Sequence, residues 1–128
     1  MGKDKAVGEA FHITSDEVIT WDEVLNQIAE VIGVEPKPVH ISSKFIVAFM
    51  PEQLGNLNGD KITSTVFDNS KLKSLVPDFK ATMPFKEGIA KTIAYLESHP
   101  ELQVIDIEYE EALDRVIAAH DYGISLAK

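Results

Sequence analysis

The apolar positions of the chain change their period several times. Over residues 9–15, Phe11 and Ile13 alternate with Ala10, His12 and Thr14, the period-two pattern of a half-buried strand. From Thr20 the period becomes helical, with Trp21, Val24, Leu25, Ile28, Val31 and Ile32 on one stripe. Thr20 and Glu23 have the spacing of a capping box, and Gly33 supplies a left-handed stop. Pro36 and Pro38 then force extended backbone into a second short strand, residues 39–42, where His40 lies between Val39 and Ile41. A strand, a helix and a second strand predict a right-handed parallel crossover. In it Phe11, Ile13, Val39 and Ile41 face the helix, and His12 and His40 point away from it.

The apolar run that includes Phe45, Phe49 and Met50 and ends at Pro51 predicts a short helix capped by Ser42 or Ser43. Two glycines and two asparagines make residues 52–64 a loop or a broken helix. Residues 64–68 read as a third strand, after which Asp68 or Asn69 caps a helix holding Leu72, Leu75 and Val76 until Pro77. Pro84 opens a long helix with Phe85, Ile89, Ile93 and Leu96 on one stripe, and a final helix starts among acids near Asp106 and runs to His120. The pattern as a whole predicts an α/β fold: one small domain of short parallel strands and about four to five helices. It spans residues 1–128, with a flexible lead-in over residues 1–5 and a helical extension over residues 101–128.

Composition narrows the function. The 128 residues have 45% apolar and 26% charged side chains, as in an ordinary globular domain. With 12 basic against 21 acidic residues the net charge is −9, which repels phosphate backbones and anionic lipid, so neither nucleic acid nor membrane is an expected partner. The chain has no cysteine; this removes thiolate nucleophiles and Cys-based zinc sites and fits a reducing compartment, for which the cytoplasm is the expectation.

Familiar catalytic motifs are missing. The glycines are scattered and form no phosphate-cradling cluster, so no cofactor is expected to bind this chain. No Tyr-x-x-x-Lys pair occurs, because Tyr95, Tyr109 and Tyr122 are followed four residues on by His99, Leu113 and Leu126. His12 and His40 fall at matching points of two strands, but a metal needs a third and usually a fourth ligand, for which the chain offers no Cys and no H-E-x-x-H spacing; two polar residues on the wetter face of a small sheet is the first reading, and a face that meets a substrate or another domain the second. Asp68 and Lys71 read first as a helix cap and a solvated lysine, and otherwise as an ion pair or substrate clamp.

Taken in order, residues 7–33, the G-D pair at Gly59 and Asp60, the D-x-S-K run at residues 68–71 and the E-G-I element at residues 87–89 resemble the C-terminal part of the extended short-chain dehydrogenase/reductase family. That family includes NAD-dependent epimerases and dehydratases of the nucleoside-diphosphate-sugar type. The resemblance covers roughly residues 6–96. It implies a substrate-binding domain, inactive alone, whose partner is a Rossmann domain that is absent from this chain and binds NAD or NADP. It also implies a sugar or sugar-nucleotide-like small-molecule substrate and assigns no residue here a catalytic role. Such epimerases usually place an arginine three residues before the G-D aspartate. Here Leu57 holds that position and the only arginine is Arg115, which leaves room for a smaller or less charged substrate.

Ligands of open α/β sheets collect beyond the carboxyl ends of the strands, so His40, Asn56 and Asp60 are the expected substrate-binding residues. An apolar docking face, including one or more of Phe45, Phe49 and Met50, is expected to invite self-association when exposed. The alternative is a stand-alone module that binds a small ligand or a protein.

Overall fold

The computed structural model describes residues 4–127, and of Asp60 the backbone alone. Five α-helices form among the described residues: α1 (Trp21–Ile32), α2 (Ser43–Phe49), α3 (Ser70–Leu75), α4 (Phe85–Glu97) and α5 (Ile107–Ser125). Short 3-10 turns stand at Asp4–Ala6, Pro51–Gln53 and Pro100–Leu102, and a wider π-type turn at Gly55–Asp60. No described helix is long and apolar enough to cross a membrane.

The expected α/β fold is overturned: there are no β-strands among the described residues, and the parallel crossover does not form. Residues 9–15, 39–42 and 64–68 keep their strand-like sequence but join no ladder. A strand needs a partner backbone distant in sequence, whereas a helix closes its hydrogen bonds within four residues. Here side chains, not a neighbouring strand, take up the backbone of residues 10 and 14. The expected inner face fails as well, since Ile13 is 66% exposed and Val39 42% exposed.

The helices start and stop for the reasons the sequence supplies. Thr20 accepts from the Glu23 amide while Glu23 reaches back to the Thr20 amide, a complete capping box, and α1 ends at Gly33 with φ of 75°. Ser42 caps α2 by accepting from the Phe45 amide, and Asp106 caps α5 by accepting from that of Tyr109.

The chain divides into two units. The first takes residues up to Pro36 together with Thr65–Ser98, and α1 packs against α4 within it. Ala29 and Leu72 are its buried apolar side chains, and Lys86 of α4 pairs with Glu30 of α1. The second unit takes Lys37–Ser64 and the stretch from His99 onward, with α2 against α5. Val116 of α5 is 1% exposed, Met50 is 2% exposed, and the Phe45 ring meets His120 edge-on at 6.2 Å. Of the three residues proposed for a docking face, Met50 is therefore core and Phe45 half-buried, while Phe49 stays 48% exposed.

Few apolar side chains are buried among the described residues: Ala29 and Leu72 in the first unit, Met50 and Val116 in the second. Trp21, Ile13, Val18, Val66 and Phe67 are all more than half exposed in the first unit.

Candidate functional site

The most organised polar constellation lies in the first unit, where α3 and its leading turn fasten the segment of residues 9–17. Asp68 starts the construction. Its carboxylate accepts from the Ser70 amide and from the Ser70 hydroxyl, both at 2.8 Å, an Asx-type turn that sets the first turn of α3. Those two bonds, the amide first, hold the Asp68 carboxyl below its ordinary range. Of the two expected cap residues, Asn69 holds the cap position without a side-chain cap bond, and Asp68, one residue earlier, binds the first helical amide.

Asn69 is 8% exposed, and its side-chain amide donates to the Thr14 carbonyl at 3.0 Å and to the Asp16 carboxylate at 2.9 Å. Lys73, one turn along α3, reaches the same carboxylate. The Asp16 carboxyl is lowered first by the hydrogen bond from Lys73 and then by that from Asn69. Lys71 donates to the Glu9 carboxylate at 2.7 Å and to the Ala10 carbonyl at 3.0 Å, with its ammonium 5.0 Å from the centre of the Phe11 ring. The Glu9 carboxyl is lowered by that hydrogen bond first and by the lysine's charge second. Lys71 pairs with Glu9 rather than with Asp68, and its side chain stays 55% exposed.

The far end of the segment is fixed by Glu17, whose carboxylate accepts from the Phe85 amide at 2.8 Å. Pro84 gives α4 no side-chain cap, so a residue distant in sequence supplies the anion that a helix N-terminus favours. His12 rests edge-on against Phe67 at 5.1 Å. A shallow concavity of about 400 Å³ lies beside this anchor, lined by residues 15–17 and 80–84.

His40, Asn56 and Asp60, the residues expected at a substrate site, all belong to the second unit. His40 is exposed and outside any helix. Asn56 is exposed within the π-type turn and donates to the Gln53 side chain at 3.3 Å. Asp60 ends that turn, and its side chain lies outside the described residues. No group of three or more His, Asp or Glu able to hold a metal occurs among the described residues.

The residues that sequence reasoning missed are Asn69 and Glu17, and their partners explain why. The bonds join positions 53, 55 and 68 residues apart, beyond the reach of periodicity. The available signal is the polar run at residues 68–71, which by itself points first to a helix cap.

Chemically, the constellation is a fastening. The Glu9, Asp16 and Asp68 carboxyls are lowered by hydrogen bonds from lysines, from the Asn69 amide and from Ser70. Compared with family models, with curated proteins and with solved structures, the chain matches none.

Proposed function

We propose that this chain is the C-terminal, substrate-binding part of an NAD- or NADP-dependent epimerase/dehydratase. It is inactive alone and works with a Rossmann catalytic domain on a sugar or sugar-nucleotide-like molecule. The order and spacing of its motifs suggest the family, and one structural observation carries the reading. The segments with strand-type sequence at residues 9–15 and 64–68 stay outside any ladder, with Ile13 and Val66 66% exposed and Phe67 57% exposed. Such a surface fits a chain whose apolar side groups are covered by a further domain.

The nicotinamide cofactor belongs to that other domain, because the residues present do not fit a pyrophosphate. An incoming phosphate needs open helix N-terminal amides. Here α1 and α5 begin on Glu23 and Asp106, and the first amide of α4 already binds the Glu17 carboxylate. These carboxylates repel an anion where it would have to dock.

The reading frame upstream of Ala6 provides the test. A glycine-rich dinucleotide loop and a Tyr-x-x-x-Lys pair are expected there. A frame that carries neither would overturn the proposal in favour of a stand-alone binding module.

A further inference from the structure

We infer that Asn58 is a site of covalent self-modification: the Gly59 amide displaces the Asn58 side-chain amide and leaves aspartate and isoaspartate. The fold withholds the other three asparagines, Asn26, Asn56 and Asn69, from the same reaction. The reaction needs an asparagine whose side chain is unrestrained and whose following backbone nitrogen can reach it. Asn58 meets both conditions. It is exposed, its side chain makes no hydrogen bond among the described residues, and it is followed by Gly59, which has no side chain to hinder the approach. The turn that holds the pair, Gly55–Asp60, is a single π-type turn with two glycines and no side-chain cap, so little opposes its opening.

In the first step the Gly59 nitrogen bonds to the Asn58 side-chain carbonyl carbon. The bond from that carbon to Nδ2 breaks, the Gly59 proton passes to the departing nitrogen, and ammonia leaves a cyclic imide behind. Water then opens the imide. Attack at the side-chain carbon gives aspartate, and attack at the main-chain carbon gives isoaspartate, whose backbone runs through the former side chain. Water is the co-reactant, and nothing is oxidised or reduced. Either product adds a negative charge to a chain that already carries −9, and isoaspartate also lengthens the backbone of the turn that holds Asn56 and Asp60.

Each of the other asparagines lacks a condition. Asn69 precedes the small Ser70, yet it is 8% exposed and its side-chain amide is bound to the Thr14 carbonyl and the Asp16 carboxylate. The Ser70 amide, which would have to attack, already donates to Asp68 at 2.8 Å. Asn56 donates to Gln53 at 3.3 Å and is followed by the bulkier, half-buried Leu57. Asn26 lies inside the capped helix α1, where the Gln27 amide belongs to the helix ladder.

The inference rests on no reading of function. The full chain is incubated at body temperature and mildly alkaline pH, where more of the attacking amide is deprotonated. Asn58 is expected to convert at least ~10-fold faster than Asn26, Asn56 or Asn69, a barrier difference of ~1.4 kcal/mol. Peptide mass spectrometry locates the converted residue, and an isoaspartate methyltransferase labels the isoaspartate. Gly59→Ala puts a methyl group where nothing lies within 4 Å, at a residue without positive φ. It is expected to leave helix content unchanged and to slow conversion of Asn58 at least ~10-fold. In urea the bonds that hold Asn69 open, and its conversion is expected to speed up. An Asn58 that stays intact, or one indifferent to Gly59→Ala, would overturn the inference. So would an Asn69 that converts as fast as Asn58 in the folded chain, or no faster in urea than in buffer.

Discussion

Replacing Asn69 by Ala removes the one buried polar side chain that joins α3 to the segment of residues 9–17. Two hydrogen bonds are lost, to the Thr14 carbonyl at 3.0 Å and to the Asp16 carboxylate at 2.9 Å. A neutral bond contributes a net ~0.5–1.5 kcal/mol, and a bond to a charged acceptor more. Asp16 is exposed and keeps Lys73, so water replaces much of what that oxygen loses. The half-buried Thr14 is less easily rehydrated. The expected cost is therefore about 1–3 kcal/mol, and in a unit of this size each kcal/mol lowers the melting midpoint by roughly 4–8 °C. Asn69→Asp keeps the shape but turns an acceptor towards two acceptors, so it is expected to cost more than Asn69→Ala. Thermal and urea unfolding by circular dichroism read both variants. Equal stability of Asn69→Ala and the wild type, or Asn69→Asp at least as stable as Asn69→Ala, would refute the view that Asn69 pins the segment.

Other expectations follow from the same contacts. Glu9, Asp16 and Asp68 have folded pKa values below the ordinary range, so their stabilisation is complete above the unfolded carboxylate value of about 4 and is lost as pH falls through the lower folded values. The side-chain carboxyl carbon shifts of Glu9, Asp16 and Asp68 should then titrate below the ordinary carboxylate range of about 4; midpoints at or above that range would contradict this. Thr20→Ala breaks the capping box and should cost about 1 kcal/mol of stability, seen as a lower urea midpoint. Gly88→Ala should stabilise by about 0.5–1 kcal/mol, because a Cβ there meets only Met83, at 3.7 Å; a lower melting midpoint would show that the glycine is needed for packing.

The helices were legible because their causes are local. Thr20, Glu23 and Gly33 lie within one element of one another and decide α1 whatever surrounds it, and the same holds for Ser42 and for Asp106. The strands were misread because alternation of Phe11 and Ile13 with polar neighbours reports suitability for a sheet, not the presence of one. The partner backbone is missing among the described residues, and Lys71 and Asn69 take its place along one side. The fastening was half legible: the run at residues 68–71 showed where a helix starts, but not that Asn69 would turn to Thr14 and Asp16. The spacing that pointed to His40, Asn56 and Asp60 rested on the carboxyl end of a parallel strand, and that strand does not form.

Calorimetric titration with NAD and with NADP tests the proposed function, run in parallel on this chain and on any longer polypeptide that its reading frame encodes. No heat of binding is expected for this chain, in which the N-termini of α1, α4 and α5 carry Glu23, Glu17 and Asp106, and saturable binding is expected for the longer polypeptide. Micromolar binding of either cofactor to the chain alone, or none to the longer polypeptide, would contradict it.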